Sequence, residues 1–323
     1  VNKYRDITIK KPHKAKKSLG QNFLKSILAL NKIVEAGEIN ENDTILEIGP
    51  GKGALTEKLL EKGCKVIAVE KDRDLIEFLQ EKFQKEIENK RFFLIENDIL
   101  EIEVGEVTVL KNIAQADEPS IAIRKHADMC VFQNNNLPCK KSKSAINYKI
   151  IANIPYNITG AILKKFLTDE NQPERMVLMV QNEVAQRIIA RDGKESILSV
   201  SVKAYGEPKI IMKVAKRYFS PAPKVDSAVI LIKNISRKLF MNNKIDEDLF
   251  WEVIHAGFAH KRKMLISNLK DFYVKQNLEK GLTENQIQWN EVFQKNNLNI
   301  KTRAEELNIS DWINILKDIN TQK

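Results

Sequence analysis

Asn153-Ile154-Pro155-Tyr156 is the stretch of this sequence whose residue types ask for the most specific chemistry. The exocyclic amino group of a planar base is a poor nucleophile, because its lone pair is shared with the ring. Methylating it requires acceptors for its hydrogens and alignment with the electrophile. The Asn153 side-chain oxygen and the Ile154 carbonyl offer two acceptors, Pro155 stiffens the turn, and Tyr156 offers a ring on which a base can stack. That set suits a base extruded into a pocket. Taken alone, an Asn-x-Pro-Tyr turn also serves as a plain helix cap, so its meaning depends on its company.

The company is a second set, Glu47-Ile48-Gly49-Pro50-Gly51-Lys52-Gly53, followed by Glu70 and Asp98. Glycines between a strand and a helix let a ligand approach the backbone closely. The spacing is G-x-G-x-G, which is neither the dinucleotide G-x-G-x-x-G nor a phosphate loop with its Lys-Ser/Thr. Glu70 ends the next strand, where a carboxylate can accept both hydroxyls of a ribose. Asp98 ends the one after and can accept from an adenine amino group. The three point to an adenosine-containing ligand, either S-adenosylmethionine or a dinucleotide. The Asn153 turn favours the first.

The elements that must position these residues alternate along the chain. Strand-like runs cover 44–48, 65–69, 91–95, 149–152, 176–180, 197–204 and 226–232, with helical spacing over 53–62, 72–88, 159–168 and 182–191. Such alternation predicts a doubly wound α/β fold: a mostly parallel, seven-stranded sheet with helices on both faces. Ligands bind at the carboxyl ends of strands in such sheets, where the residues singled out above fall. The pattern changes near 236: 247–270, 284–296, 303–308 and 310–319 read as helices. We therefore expect a catalytic domain over 1–235 and a small helical domain over 236–323. Residues 105–147, with an Asn run and a Lys/Ser run, are far longer than a usual βα connection. They read as a poorly ordered insertion.

Composition narrows the class. A chain of 323 residues with 43% hydrophobic and 30% charged residues reads as an ordinary globular protein. No run approaches the roughly 18 to 20 apolar residues of a membrane span, and residues 1–17 lack a secretory signal's apolar core. Cys64, Cys130 and Cys139 lack metal-like spacing, and His255 and His260 read as core or surface residues, so no metal site and a reducing, cytoplasmic setting are expected. The net charge of +10 is uneven: residues 1–17 carry +6, residues 18–104 carry −6, and residues 148–235 carry +6. Lys14, Lys16, Lys17 and Arg262 are candidate phosphate contacts.

Several stretches resemble the small-subunit ribosomal RNA adenine N6,N6-dimethyltransferases. Lys17 to Leu24, KSLGQNFL, is similar to the family's N-terminal motif, whose Asn and Leu (here Asn22 and Leu24) contact the cofactor. LEIGPGKGALT, from Leu46 to Thr56, resembles its cofactor loop and brings in Gly49 and Gly51. Glu70, Asp98 and Asn153 fall on its ribose, adenine and catalytic-pocket positions, and QNEVAQRI from Gln181 also resembles it. FSPAPKVDSAV from Phe219 looks like the segment whose Phe stacks on the target base opposite the Tyr, and GFAHKRKMLISNL from Gly257 like its basic helical segment. The resemblance implies a class I methyltransferase fold and S-adenosylmethionine as cofactor. It also implies N6-dimethylation of two adjacent adenines near the 3′ end of 16S rRNA, carried out by a monomer on an assembling 30S particle. Ile154 stands where the family usually has Leu, a mild change because its carbonyl is what acts. Three rivals stay open: a large-subunit adenine methyltransferase, a protein-glutamine or DNA amino-methyltransferase, and an assembly factor with dispensable catalysis. PKVDSAV favours the small subunit, and the glutamine and DNA enzymes usually carry a second proline where Ile154 stands.

Overall fold

The computed structural model describes residues 14–104, 147–279 and 287–321. The expected insertion, Cys130 and Cys139 included, lies outside these residues apart from Asn147. The main sheet contains β2 (Thr44–Ile48), β3 (Lys65–Glu70), β4 (Phe92–Glu96), β5 (Lys149–Asn153), β6 (Arg175–Gln181), β7 (Glu207–Val214) and β9 (Ser227–Lys233). A separate antiparallel ribbon pairs β1 (Phe23–Leu24) with β8 (Phe219–Ser220). The sheet order is β4-β3-β2-β5-β6-β9-β7, parallel except where β9 runs against both its neighbours.

The central strands form because both their faces are buried. Ile45 of β2, Val66 and Ala68 of β3, Ile151 of β5 and Val177 of β6 join one apolar cluster, and the alternate residues Leu46, Ile67, Ile150 and Leu178 join the other. Such doubly covered strands read as unbroken apolar runs. The first face is covered by α1 (Ile27–Gly37), α2 (Ala54–Leu60) and α3 (Arg73–Lys82), which is followed by the short α4 (Gln84–Glu88). The second is covered by α5 (Thr159–Leu167), α6 (Asn182–Ile189) and α7 (Ile197–Lys203). The strand order reverses between β2 and β5, and the crevice outside their carboxyl ends is where such folds place ligands.

The stretch 197–204, expected as a strand, is helix α7. Its alternating Ile-Leu-Ser-Val-Ser-Val pattern suits a strand, but Ser196 starts a helix through a reciprocal cap. Ser196 Oγ accepts from the Ser199 amide at 3.2 Å, and Ser199 Oγ accepts from the Ser196 amide at 2.6 Å. The strand that completes the sheet is β7, three residues beyond α7.

Beyond β9 the described chain is helical: α8 (Lys238–Asn243), α9 (Glu247–Gly257), α10 (Leu265–Glu279), α11 (Trp289–Lys295) and α12 (Ile309–Thr321). The single helix expected over 247–270 is thus two, α9 and α10. Asn268 explains the break: its Nδ2 donates to the Gly257 carbonyl at 2.6 Å and the His260 carbonyl at 3.2 Å, so the side chain holds the turn between them. The junction near 236 is packed. The Arg237 guanidinium donates to the carbonyls of Thr168 and Asp169 and to Glu247, and Tyr205 stacks on Trp251 at 6.2 Å. Among the described residues no helix is long and apolar enough to cross a membrane.

Candidate functional site

A cavity of about 600 Å³ opens at the carboxyl ends of β2, β3 and β5. Asn22, Leu24, Gly49, Gly51, Glu70, Asp98, Asn153, Ile154, Pro155 and Tyr156 all line it, so the two sets read from the sequence form one site. Gly49, Gly51 and Gly53 turn the chain from β2 into α2 with φ of 65°, 59° and 74°, the left-handed region that side chains rarely adopt. Gly51 has a second requirement: a Cβ there would sit 2.9 Å from the Phe23 ring. Phe23 thereby closes over the glycine turn, with the Lys52 ammonium 5.0 Å from its ring centroid.

Glu70 ends β3 with its carboxylate fixed by backbone donors. Oε1 accepts from the amides of Lys71 and Asp72 at 2.9 Å each, and Oε2 accepts from the Gly51 amide at 3.2 Å. The carboxyl is 7% exposed, and burial outweighs those donors and raises its pKa above the ordinary value. Asp98 is also raised by burial, but the Lys71 ammonium at 2.8 Å and the Leu100 amide at 3.0 Å outweigh that and hold it below the usual carboxylate range.

The Asn153 side chain is oriented by another residue of the cavity wall. Its Nδ2 donates to the Asn22 carbonyl at 3.1 Å, which leaves Oδ1 as the amide atom for a ligand. Asn22 is itself held by its own Nδ2 on the Gly20 carbonyl at 3.0 Å. Ile154 is buried, at 2% exposed, and Pro155 packs beside Gly20 and Gly49. The Tyr156 hydroxyl lies 2.5 Å from Ser227 Oγ, and burial raises its pKa, so it stays protonated at neutral pH and cannot act as a base.

Two of the expected residues are engaged elsewhere in this structure. Phe219 does not line the cavity: it is 2% exposed and packs with Leu24, Leu30 and Val229, while its neighbour Ser220 forms the wall. The cause is the ribbon, in which Phe219 pairs with Leu24 and both side chains enter the apolar cluster. The Lys16 ammonium, expected as a phosphate contact, pairs with Asp72 at 2.5 Å and Asp74 at 2.8 Å. Lys14, Lys17 and Arg262 are exposed and lie outside the cavity wall.

Sequence reasoning quoted Glu47 without giving it a role. It lies on the cavity wall, 1% exposed, with Oε2 accepting from the Thr56 hydroxyl at 2.7 Å. Burial, with the nearby Glu70 charge, pushes its pKa up to about 8 despite the Thr56 hydrogen bond. The folded carboxyl keeps its proton to about 8 whereas an unperturbed one loses it near 4.5, so the unfolded chain binds fewer protons in that window. Glu47 therefore makes stability fall as pH rises through the window. Glu47→Gln is expected to flatten that slope in the ligand-free protein, measured as the urea midpoint at about pH 5 and about pH 8.

Comparison with known proteins finds the following likenesses. A family model described as ribosomal RNA adenine dimethylase matches residues 12–317. The chain is 34% identical over 307 residues to the ribosomal RNA small subunit methyltransferase A of Fusobacterium nucleatum subsp. nucleatum, covering 94% of this chain and 97% of that one. It is 37% identical over 312 residues to the protein of that name from Synechococcus elongatus, covering 94% and 95%. Among solved structures, a dimethyladenosine transferase from Plasmodium falciparum superposes with a TM-score of 0.68 at 22% identity, over 93% of this chain and 98% of that one. The 23S rRNA methyltransferase ErmE gives 0.63 at 20%, over 93% and 100%. These two structures share the fold.

Proposed function

From the premise that the chain belongs to the ribosomal RNA adenine dimethylase family, we propose that its cavity holds S-adenosylmethionine beside an adenine of ribosomal RNA. The enzyme is an S-adenosylmethionine-dependent rRNA adenine dimethyltransferase. The observation that carries the site assignment is the Asn153 amide, locked by Asn22 so that an acceptor faces the cavity that Glu70 also lines. The residues fit the cofactor: a glycine turn whose Gly49 and Gly51 line the cavity, a carboxylate suited to two ribose hydroxyls, and carboxyls that suit a cation.

S-adenosylmethionine, when bound, supplies an electrophilic methyl on a sulfonium. Glu70 would hold it by accepting from the ribose, and Asp98 by accepting from its adenine amino group. Asn153 Oδ1 and the Ile154 carbonyl accept the hydrogens of the target amino group and direct its lone pair. Tyr156 stacks on the target base, a contact worth about 1 to 3 kcal/mol. Phe219, buried behind Ser220, supports the wall in this arrangement; a stack on its ring would require the ribbon to open. The methylated amine is acidic enough to lose its proton to water, so no strong base is assigned. Orienting two bound reactants can supply about 7 to 11 kcal/mol of the barrier.

The finer reading is a monomer acting in the cytoplasm on two adjacent adenines of an assembling 30S particle. The relatives' names support the small subunit as the target, and the exposed basic residues suit an RNA partner. The helices from 236 onward present Arg262 on an exposed turn as an RNA contact, with Lys14 and Lys17 as further phosphate partners. The test is labelled cofactor with unmodified small subunits, followed by mapping of the methylated adenines. Label in large-subunit RNA alone would overturn the substrate assignment.

Two variants separate the halves of the site. Glu70→Ala is expected to raise the cofactor Kd by about tenfold or more, the order expected from hydrogen bonds to a charged acceptor. Unchanged affinity by calorimetry would remove Glu70 from the ribose contact. Arg262→Ala should leave cofactor binding alone and weaken RNA binding, with the salt slope of log K reduced by about 0.7 to 0.9. An unaltered slope would take Arg262 off the RNA face.

A further inference from the structure

Asp72 is the most enclosed charge beside the cavity that the mechanism does not use. Its side chain is 0% exposed. It starts α3 by accepting from the Asp74 amide at 3.1 Å, which is an ordinary helix cap. A cap does not need the other two partners, which come from more than fifty positions earlier in the chain. Lys16 Nζ donates to Oδ1 at 2.5 Å, and Gln21 Nε2 donates to Oδ2 at 2.6 Å. The Lys16 amide in turn donates to Gln21 Oε1 at 2.7 Å, so the Gln21 amide is held at both ends.

Each arm of this cluster leads to a residue of the site. Gln21 precedes Asn22, whose carbonyl orients Asn153. The Asp72 amide donates to Glu70 Oε1. One buried carboxylate thus stands between the acceptor for the ribose and the segment that aims the acceptor for the target amine. A buried carboxylate is tolerated only when paired and hydrogen-bonded, and removing one partner leaves the other exposed to the full desolvation cost. The segment 16–24 is therefore tied to the end of β3 by charge as well as by the β1–β8 ribbon.

We infer that Asp72 is a positioning residue that locks residues 16–24 over the cofactor cavity, with Lys16 as its counter-ion. The inference rests on the reading of the cavity as an S-adenosylmethionine site. It assigns Lys16 to the cofactor side of the reaction, away from RNA phosphates.

The test uses the full-length enzyme with four variants, reading cofactor Kd by calorimetry, turnover on unmodified small subunits, and RNA affinity at fixed salt. Lys16→Met is expected to raise the cofactor Kd about tenfold, as loss of one charge-assisted hydrogen bond predicts, with RNA affinity unchanged. Lys16→Arg should restore cofactor binding. Gln21→Glu sets carboxylate against carboxylate and should lose more than Gln21→Ala, in turnover as well as in Kd, because Asn22 shifts with it. Weaker RNA binding by Lys16→Met at an unchanged cofactor Kd would make Lys16 a phosphate contact and overturn the inference. So would equal behaviour of Gln21→Glu and Gln21→Ala, with only a lower melting temperature in each. A wild-type enzyme that fails to bind S-adenosylmethionine is a different outcome, because it overturns the cofactor assignment itself and the lock with it.

Discussion

Asn153→Ala is expected to lower the rate of methyl transfer by about 10²- to 10³-fold, the loss typical of deleting one preorganised polar group at a reacting centre. Cofactor affinity should change little. The two expectations separate because the two ends of the Asn153 amide have different partners. Its Oδ1 is the proposed acceptor for the target amine, and its Nδ2 anchors on the Asn22 carbonyl. The alanine removes the acceptor, while the segment 16–24 keeps its ties through Asp72 and the β1–β8 ribbon. Asn153→Asp makes a sharper second variant. It keeps an acceptor but faces the Asn22 carbonyl with a carboxylate oxygen, so it should bind cofactor less well than the alanine variant. Single-turnover rates with labelled cofactor, alongside calorimetric Kd values, distinguish the two. Near-normal turnover in Asn153→Ala would remove the catalytic assignment.

Trp312→Ala should give the largest loss of stability, about 3 to 5 kcal/mol for a fully buried aromatic side chain. Trp312 is 0% exposed, lies 5.8 Å from the Phe258 ring, and crowds Gly257 so closely that a Cβ there would fall 2.4 Å from it. It is the wedge behind the exposed turn that carries Arg262. Urea unfolding should therefore shift to a lower midpoint, and RNA affinity of the folded protein should fall while cofactor affinity holds. A Trp312→Phe variant, which keeps a ring in the slot, should recover most of both. A midpoint that Trp312→Ala leaves unmoved would show that the wedge bears little of the helical region's stability.

The sequence was most legible where burial is two-sided. Thr44–Ile48, Lys65–Glu70 and Arg175–Gln181 announce themselves as strands because both faces must be apolar. The ligand residues followed from that, since Glu70 and Asn153 are the last residues of their strands. Where a short polar contact overrides a pattern, reading failed. Ser196 and Ser199 turned an alternating run into α7, and Asn268 broke one expected helix into two. Long-range pairing was the other gap. Nothing local in Phe23-Leu24 shows that it joins Phe219-Ser220, and that pairing is what buried Phe219. Asp72 was overlooked for the same reason: as a helix cap it is ordinary, and its role depends on Lys16 and Gln21 arriving from far away.

The β1–β8 ribbon also sets a clock on the enzyme's own manufacture. Leu24 and Phe219 are about 195 positions apart, so at synthesis speeds of about 5 to 20 residues per second the first strand waits about 10 to 40 seconds for its partner. Until then the segment 16–24 has its Asp72 tie but lacks the ribbon, and the wall beside Asn153 is unfinished. A nascent chain is thus unable to assemble its methyl-donor pocket while most of it is still being translated. The catalyst that modifies ribosomal RNA completes this wall only after about two-thirds of its own chain has been made.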